Sequence, residues 1–220
     1  MLQLDREATR AALEWGPLIE ALRAMFREGC ESPVRHHHDF AVPGEADGTL
    51  LLMPAWVPGR YLGVKLATVV PGNGARDLPA VMASYMLNDA RTGEMAALID
   101  GGELTARRTA AASALAADYL ARADARHLVI VGTGLLEETL KSETQRLGLE
   151  SRVTFAGQQG KETVRNYFQA ADLVVVPSII DSTGETEGLP VVLLEALASG
   201  TPVVIMPQLL SSGRVAYWFT

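Results

Sequence analysis

The sequence contains a single cysteine, no long apolar run and fewer basic than acidic residues. Because Cys30 is the single cysteine, an internal disulfide is excluded, and a reducing cytoplasm is favoured. We expect Cys30 to be a small buried apolar residue rather than a nucleophile. Glu195 interrupts the longest apolar run, so no stretch reaches the roughly 18 residues of a membrane span. Acidic residues in MLQLDREATR argue against a signal peptide. We therefore expect a cytoplasmic globular protein.

Two kinds of partner are disfavoured by the same composition. The net charge of −7 leaves no basic surface for a nucleic-acid backbone. His36, His37 and His38 are consecutive, so they cannot all face one ion from a strand, and no distant Cys or His has ligand spacing. We expect neither a nucleic-acid site nor a metal site.

The first half of the chain has the pattern of an α+β unit. Asp5 is placed to cap a first helix, and Pro17 suits the first turn of a second. Apolar runs then predict strands, with turn signals at Pro58-Gly59 and across Asp89–Gly93. The alanine-rich segment LTARRTAAASALAADYLARA follows and predicts a helix.

Three cations in this half stand out. Lys65 lies inside an apolar strand and shares a face with Ala67 and Val69 by period-two alternation. Arg108 lies early in the alanine-rich helix, and Arg35 opens RHHHDF between a loop and a strand. Two interpretations are open: surface charges whose aliphatic stems extend to water, or a cluster that binds a small carboxylate.

The stretch HLVIVGTG is typical of a nucleotide-binding strand, turn and helix. The apolar run Leu128–Val131 leads into Gly132, Thr133 and Gly134, a turn of phosphate size, and LLEETLKSETQRLG follows as a helix. Strands and helices alternate beyond it, which predicts a partial Rossmann-like sheet of about four parallel strands.

Residues 1–134 resemble the ornithine cyclodeaminase/mu-crystallin family. The match is carried by the strings GRYLGVKLATVVPGN, YMLNDARTGEMAALIDGGELTARRTAAASALAADYLA and LVIVGTG. The resemblance implies a substrate and dimerisation domain followed by a Rossmann domain for NAD(P), with hydride transfer on amino or imino acids. It also implies a homodimer through the first domain, and a substrate carboxylate held by Arg35, Lys65 and Arg108.

Beyond Gly134 the pattern expected of that family changes. Glu137 occupies the third fingerprint position, where a small residue lets the helix approach the turn. The strand Val153–Ala156 ends in Gly157-Gln158-Gln159, without the acid or arginine that would recognise the ribose. We therefore expect no cofactor to bind well, although the family ancestry is linked to NAD(P).

Residues 128–204 resemble the donor-binding domain of retaining GT-B glycosyltransferases of group 1. The string ADLVVVPSIIDSTGETEGLPVVLLEALASGTPVV carries the match, including the Glu-x7-Glu pair Glu187 and Glu195. The resemblance implies that Glu187 contacts the donor sugar and Glu195 the ribose of a nucleotide sugar. That group's basic pair and acceptor-binding domain have no counterpart in this chain.

The sequence thus predicts an α/β chimera in which both active sites are incomplete. We expect an α+β substrate and dimerisation domain at 1–125, a partial Rossmann-like domain at 126–206 and an unpatterned tail at 207–220. Three functions are open: a cyclodeaminase-like oxidoreductase, a glycosyltransferase, or a non-catalytic fusion that binds a small molecule. Impaired or absent turnover is the interpretation we favour, and no catalytic residue is assigned.

Overall fold

The computed structural model describes residues 1–134, 136–176 and 191–205. These residues form two compact units, one of residues 1–115 and one of residues 116–176 together with 191–204. None of the described helices is both long and apolar enough to cross a membrane.

A six-stranded mixed sheet forms the first unit. Its strands are β1 (Leu2–Leu4), β2 (His36–Phe40), β3 (Gly48–Val57), β4 (Tyr61–Val69), β5 (Val81–Asp89) and β6 (Met95–Asp100). Strands β2 to β6 follow one another as an antiparallel meander, and β1 pairs in parallel with β6 at the edge. The turn predicted across Asp89–Gly93 is confirmed and joins β5 and β6 as a hairpin, in which the Asp89 carboxylate accepts hydrogen bonds from Arg91 N and Thr92 N at 2.7 and 2.9 Å.

Three helices accompany this sheet. They are α1 (Arg6–Ala12), α2 (Trp15–Glu28) and α3 (Gly101–Leu120), and a short 3-10 helix spans Pro71–Arg76. The predicted cap is confirmed, because Asp5 Oδ1 accepts a hydrogen bond from Ala8 N at 2.9 Å. Gly101 begins α3 in close contact with β5, because a Cβ at Gly101 would lie only 2.6 Å from the carbonyl carbon of Ala83. Only glycine allows the helix to start this close to the sheet.

A buried carboxylate ties α1 to the start of α3. Glu103 accepts two hydrogen bonds from Arg10, at 2.9 and 3.1 Å, and one from Arg6 at 3.4 Å. Its own N–H donates to Asp100 Oδ1 at 2.7 Å, as at a capped helix start. The hydrogen bond from Arg10 is the largest cause that lowers the pKa of the Glu103 carboxyl, so this group carries its charge while buried.

The two faces of the sheet differ in burial. On one face Leu51, Ala67 and Ala97 are buried. The other face carries Leu66, Met82 and Leu98, which are 41%, 43% and 40% exposed. Because strand residues alternate between faces, these three even-numbered residues of β4, β5 and β6 are partly uncovered apolar side chains on one face of the sheet.

The second unit alternates strands and helices, as predicted. Its elements are β7 (Leu128–Val131), α4 (Glu137–Arg146), β8 (Val153–Gly157), α5 (Lys161–Ala170), β9 (Val174–Val176), α6 (Val191–Ala198) and β10 (Val203–Ile205). Strands β7 and β8 pair in parallel, and β9 pairs with β10. The α/β class with parallel strands is confirmed. In the described ranges the four strands form two pairs in place of the single sheet expected, and the boundary at residue 125 stays a prediction.

Candidate functional site

Lys65 lies in the middle of a row of residues across the first sheet. Met53 on β3 lies opposite Lys65 on β4, and Lys65 lies opposite Tyr85 on β5. Side chains opposite one another in a sheet project from the same face, so Met53, Lys65 and Tyr85 share one face. Arg35 directly precedes β2, which pairs with β3 from His36 onward.

Lys65 is half-buried, and its pKa is lowered to about 8. Burial is the largest cause because a charged amine loses hydration. The positive charges of Arg108 and Arg35 are the other two causes of this lowering, in that order. Since both arginines act on Lys65, α3 and the segment before β2 bring their charges close to the middle of β4.

Such a cluster favours an anion. Among the described residues no carboxylate raises the pKa of Lys65, since all three causes lower it. A bound carboxylate would reverse this effect, because an adjacent negative charge favours the protonated amine, while the arginine forks offer paired N–H donors. The structure thus brings the three predicted residues together, and their role as carboxylate ligands stays a prediction.

Tyr85 and Gly63 are parts of this site that the sequence analysis missed. A Cβ on Gly63 would lie 1.8 Å from the Tyr85 hydroxyl, so the tyrosine side chain reaches along the sheet and covers Gly63. Burial raises the pKa of the Tyr85 hydroxyl, and Cys30 raises it further. Alternation alone puts Gly63 on the face of Lys65. The approach of Tyr85, however, depends on the register between β4 and β5, which no sequence signal specifies.

The predicted glycine turn follows β7 and is exposed. Gly132 has φ +104°, a conformation that favours glycine, and its N–H donates to the Gly157 carbonyl at 2.8 Å. Thr133 and Gly134 continue the turn toward α4. The N-cap of α4 is Leu136, whose side chain makes no capping hydrogen bond.

Two carboxylates occupy the first turn of α4. Glu137 and Glu138 form ion pairs with Lys141 at 2.8 and 2.9 Å. An anion at this helix start would meet both acids, which oppose the favourable effect of the helix N-terminus.

Of the Glu-x7-Glu pair, the structure describes only Glu195. Glu187 lies outside the described residues. Glu195 is exposed on α6 and lines a pocket of about 290 Å³ together with Lys161 and Arg165 of α5. The proposed contact of Glu195 with a ribose stays a prediction.

The sequence profile of the ornithine cyclodeaminase/mu-crystallin family matches residues 4–170. An uncharacterised protein of Schizosaccharomyces pombe is 47% identical over 140 residues, which are 62% of this chain and 42% of that protein. Delta(1)-pyrroline-2-carboxylate reductase of Paracoccus denitrificans is 32% identical over 198 residues, which are 88% of this chain and 60% of the reductase.

A solved structure supports the same relationship. Thermococcus litoralis Delta(1)-pyrroline-2-carboxylate reductase, in complex with NADH and L-proline, is 27% identical and matches with a TM-score of 0.61. The match covers 80% of this chain and 62% of that one. This chain therefore spans less than two thirds of the length of these relatives.

These matches correct the expectation that the family pattern stops at Gly134. The profile continues to residue 170, through β7, α4, β8 and α5, although Glu137 departs from the glycine fingerprint. The comparisons give no support to a glycosyltransferase part or to a chimera, and the resemblance of residues 128–204 stays a prediction. The chain belongs to the ornithine cyclodeaminase/mu-crystallin family.

Proposed function

We propose that residues 1–115 bind the carboxylate of a small amino or imino acid through Lys65, Arg108 and Arg35. The observation that carries this proposal is the half-buried Lys65, whose pKa falls to about 8 through burial and two neighbouring arginines. The Thermococcus litoralis relative, a reductase in complex with L-proline, supports this class of ligand.

Each cation has a separate part in this binding. The Lys65 ammonium, on a strand within the sheet, is the least hydrated of the three and gains most from a negative partner. Arg108 and Arg35 are exposed and come from other elements, so they offer planar N–H pairs from two further directions. Three donors from three elements orient the carboxylate as well as neutralising it.

The first prediction concerns ligand binding. L-Proline and Delta(1)-pyrroline-2-carboxylate will raise the melting temperature, because a ligand at 100 times its Kd stabilises a protein by about 2.7 kcal/mol. Lys65→Met will abolish the shift, as measured by scanning fluorimetry. Lys161→Met, at an exposed lysine of α5, is the matched control and will keep it. Equal shifts in wild type and Lys65→Met would disprove the carboxylate site.

The second prediction is a pH dependence. The carboxylate binds the protonated amine, and Lys65 is protonated below its pKa of about 8. Affinity will hold between pH 6 and 7.5 and then fall by about tenfold for each pH unit well above pH 8. Calorimetry in buffers of different ionisation enthalpy will show proton uptake on binding near pH 8. An affinity that stays constant to pH 9.5 would exclude Lys65 as the ligand.

We also propose that the chain binds NAD(H) and NADP(H) too weakly to support turnover. The residues at the turn do not fit a dinucleotide: Glu137 is bulky where the helix must approach the turn, and Glu137 and Glu138, although paired with Lys141, put two acids in the first turn of α4, beside where the pyrophosphate would lie. The N–H of Gly132 is already bonded to Gly157, and β8 ends at Gly157 without an acid for the ribose. The function proposed for the chain is therefore binding without hydride transfer.

The third prediction tests this misfit. Fluorescence titration with NADH or NADPH will give no saturable signal in the tens-of-micromolar range that corresponds to about 6 kcal/mol of binding free energy. Replacing both acids, Glu137→Ala with Glu138→Ala, will tighten binding because the repulsion is removed. Saturable binding of the wild-type chain at those concentrations would overturn the proposal and favour an oxidoreductase.

A homodimer is the further part of the proposal. The surface formed by Leu66, Met82 and Leu98 is about two-fifths exposed at each side chain. Neighbouring apolar side chains on a sheet are costly in water, and contiguous patches of this kind mark interaction sites. We propose that a second copy of the chain covers this surface.

The fourth prediction concerns this assembly. Light scattering at tens of micromolar protein will give the mass of a dimer. A dimer with an association free energy of about 7 kcal/mol is mostly formed at this concentration. Met82→Lys will yield monomer because it places a charge in the contact. Leu147→Lys changes a side chain that is 51% exposed in the second unit and serves as the control. A monomeric wild-type chain would refute the dimer.

A further inference from the structure

An apolar pocket lies in the same unit as the cation cluster. It has a volume of about 370 Å³ and is lined from the sheet by Ala55, Gly63 and Leu87 and from α2 by Met25. Tyr85 also contributes. None of the described residues that line it carries a carboxylate, an ammonium or a guanidinium.

The register of the sheet fixes how the pocket lies relative to Lys65. Ala55 on β3 lies opposite Gly63 on β4, and Gly63 lies opposite Leu87 on β5. These three form the row next to the one that contains Lys65, on the same face, because Gly63 precedes Lys65 by two residues. Adjacent rows on one face are about 6.6–6.8 Å apart. The residue that carries the amine and the pocket floor therefore lie in neighbouring rows of the same face.

Tyr85 belongs to both rows. Its backbone lies opposite Lys65, while its hydroxyl lies over Gly63. The tyrosine ring thus lies between the row of Lys65 and the pocket. It can lie there because Gly63 has no side chain.

We infer that this pocket receives the side chain of the acid whose carboxylate lies at Lys65, and that the chain prefers acids with a bulky uncharged side chain. The inference rests on the proposed carboxylate site. A ligand held at Lys65 places its α-substituent within reach of the next row, where Ala55, Gly63 and Leu87 offer apolar surface. A terminal ammonium, as in ornithine, would find no carboxylate among the described residues that line the pocket, and would gain less there than an apolar group.

The test is a ligand series on the full chain. Dissociation constants for L-proline, L-leucine, L-phenylalanine and L-ornithine are measured by calorimetry at pH 7. L-Phenylalanine and L-leucine will bind at least about tenfold more tightly than L-proline, because added apolar groups in a pocket are worth 1–3 kcal/mol. L-Ornithine will bind most weakly.

A variant that fills the pocket tests whether the pocket causes the preference among these acids. Leu87→Trp will weaken binding of L-phenylalanine by at least about tenfold and of L-proline by much less. Circular dichroism and urea unfolding will show that the variant is folded, and Gly63→Ala, which displaces only the end of the Tyr85 side chain, repeats the test with a smaller change. Leu140→Trp, on α4, is the control for an added tryptophan and leaves the series unchanged.

The outcomes separate the two proposals. If no acid binds, or if Lys65→Met leaves every constant unchanged, the carboxylate site itself is wrong and the inference fails with it. If the acids bind through Lys65 with constants independent of the side chain, the carboxylate site stands and the pocket has no role in selection. The same holds if both Leu87→Trp and Gly63→Ala preserve the wild-type order.

Discussion

The ion network around Glu103 is the interaction on which the first unit depends most. A carboxylate this deeply buried is stable only when paired, and its partners come from α1, through Arg6 and Arg10, and from α3 itself, through Arg107 at 4.0 Å. Arg107 also stacks over the ring of Trp15 at 4.0 Å and so reaches the start of α2. The three helices are thereby joined at the first turns of α3.

The position of this helix start decides whether the candidate site exists. Gly101 lets α3 begin in contact with β5, and the Glu103 network holds the first turns there. Arg108 follows on the same rigid helix, so its charge reaches Lys65 on β4 and helps to lower the lysine pKa to about 8. Arg35 directly precedes β2, and its charge also lowers the pKa of Lys65. The cation cluster thus depends on the helix start that positions Arg108.

Features that depend on neighbours in sequence were predictable, and those that depend on register were not. The Asp5 cap, the Asp89–Gly93 hairpin and the face of Lys65 follow from local spacing. The pairing of Glu103 with arginines more than ninety residues away in sequence leaves no local signal. The same is true of Tyr85 over Gly63, because it requires the alignment of two strands that alternation alone leaves open.

The second unit shows why family membership and ligand binding are separate questions. The family match runs through β7, α4, β8 and α5, but a shared fold does not by itself imply a shared ligand. A dinucleotide depends on a few specific positions, and at the third position of the glycine fingerprint the chain carries Glu137. The proposed carboxylate site draws all its cations from residues 1–115. The proposals for acid binding and for weak dinucleotide binding therefore rest on different residues, and each is tested by its own experiment.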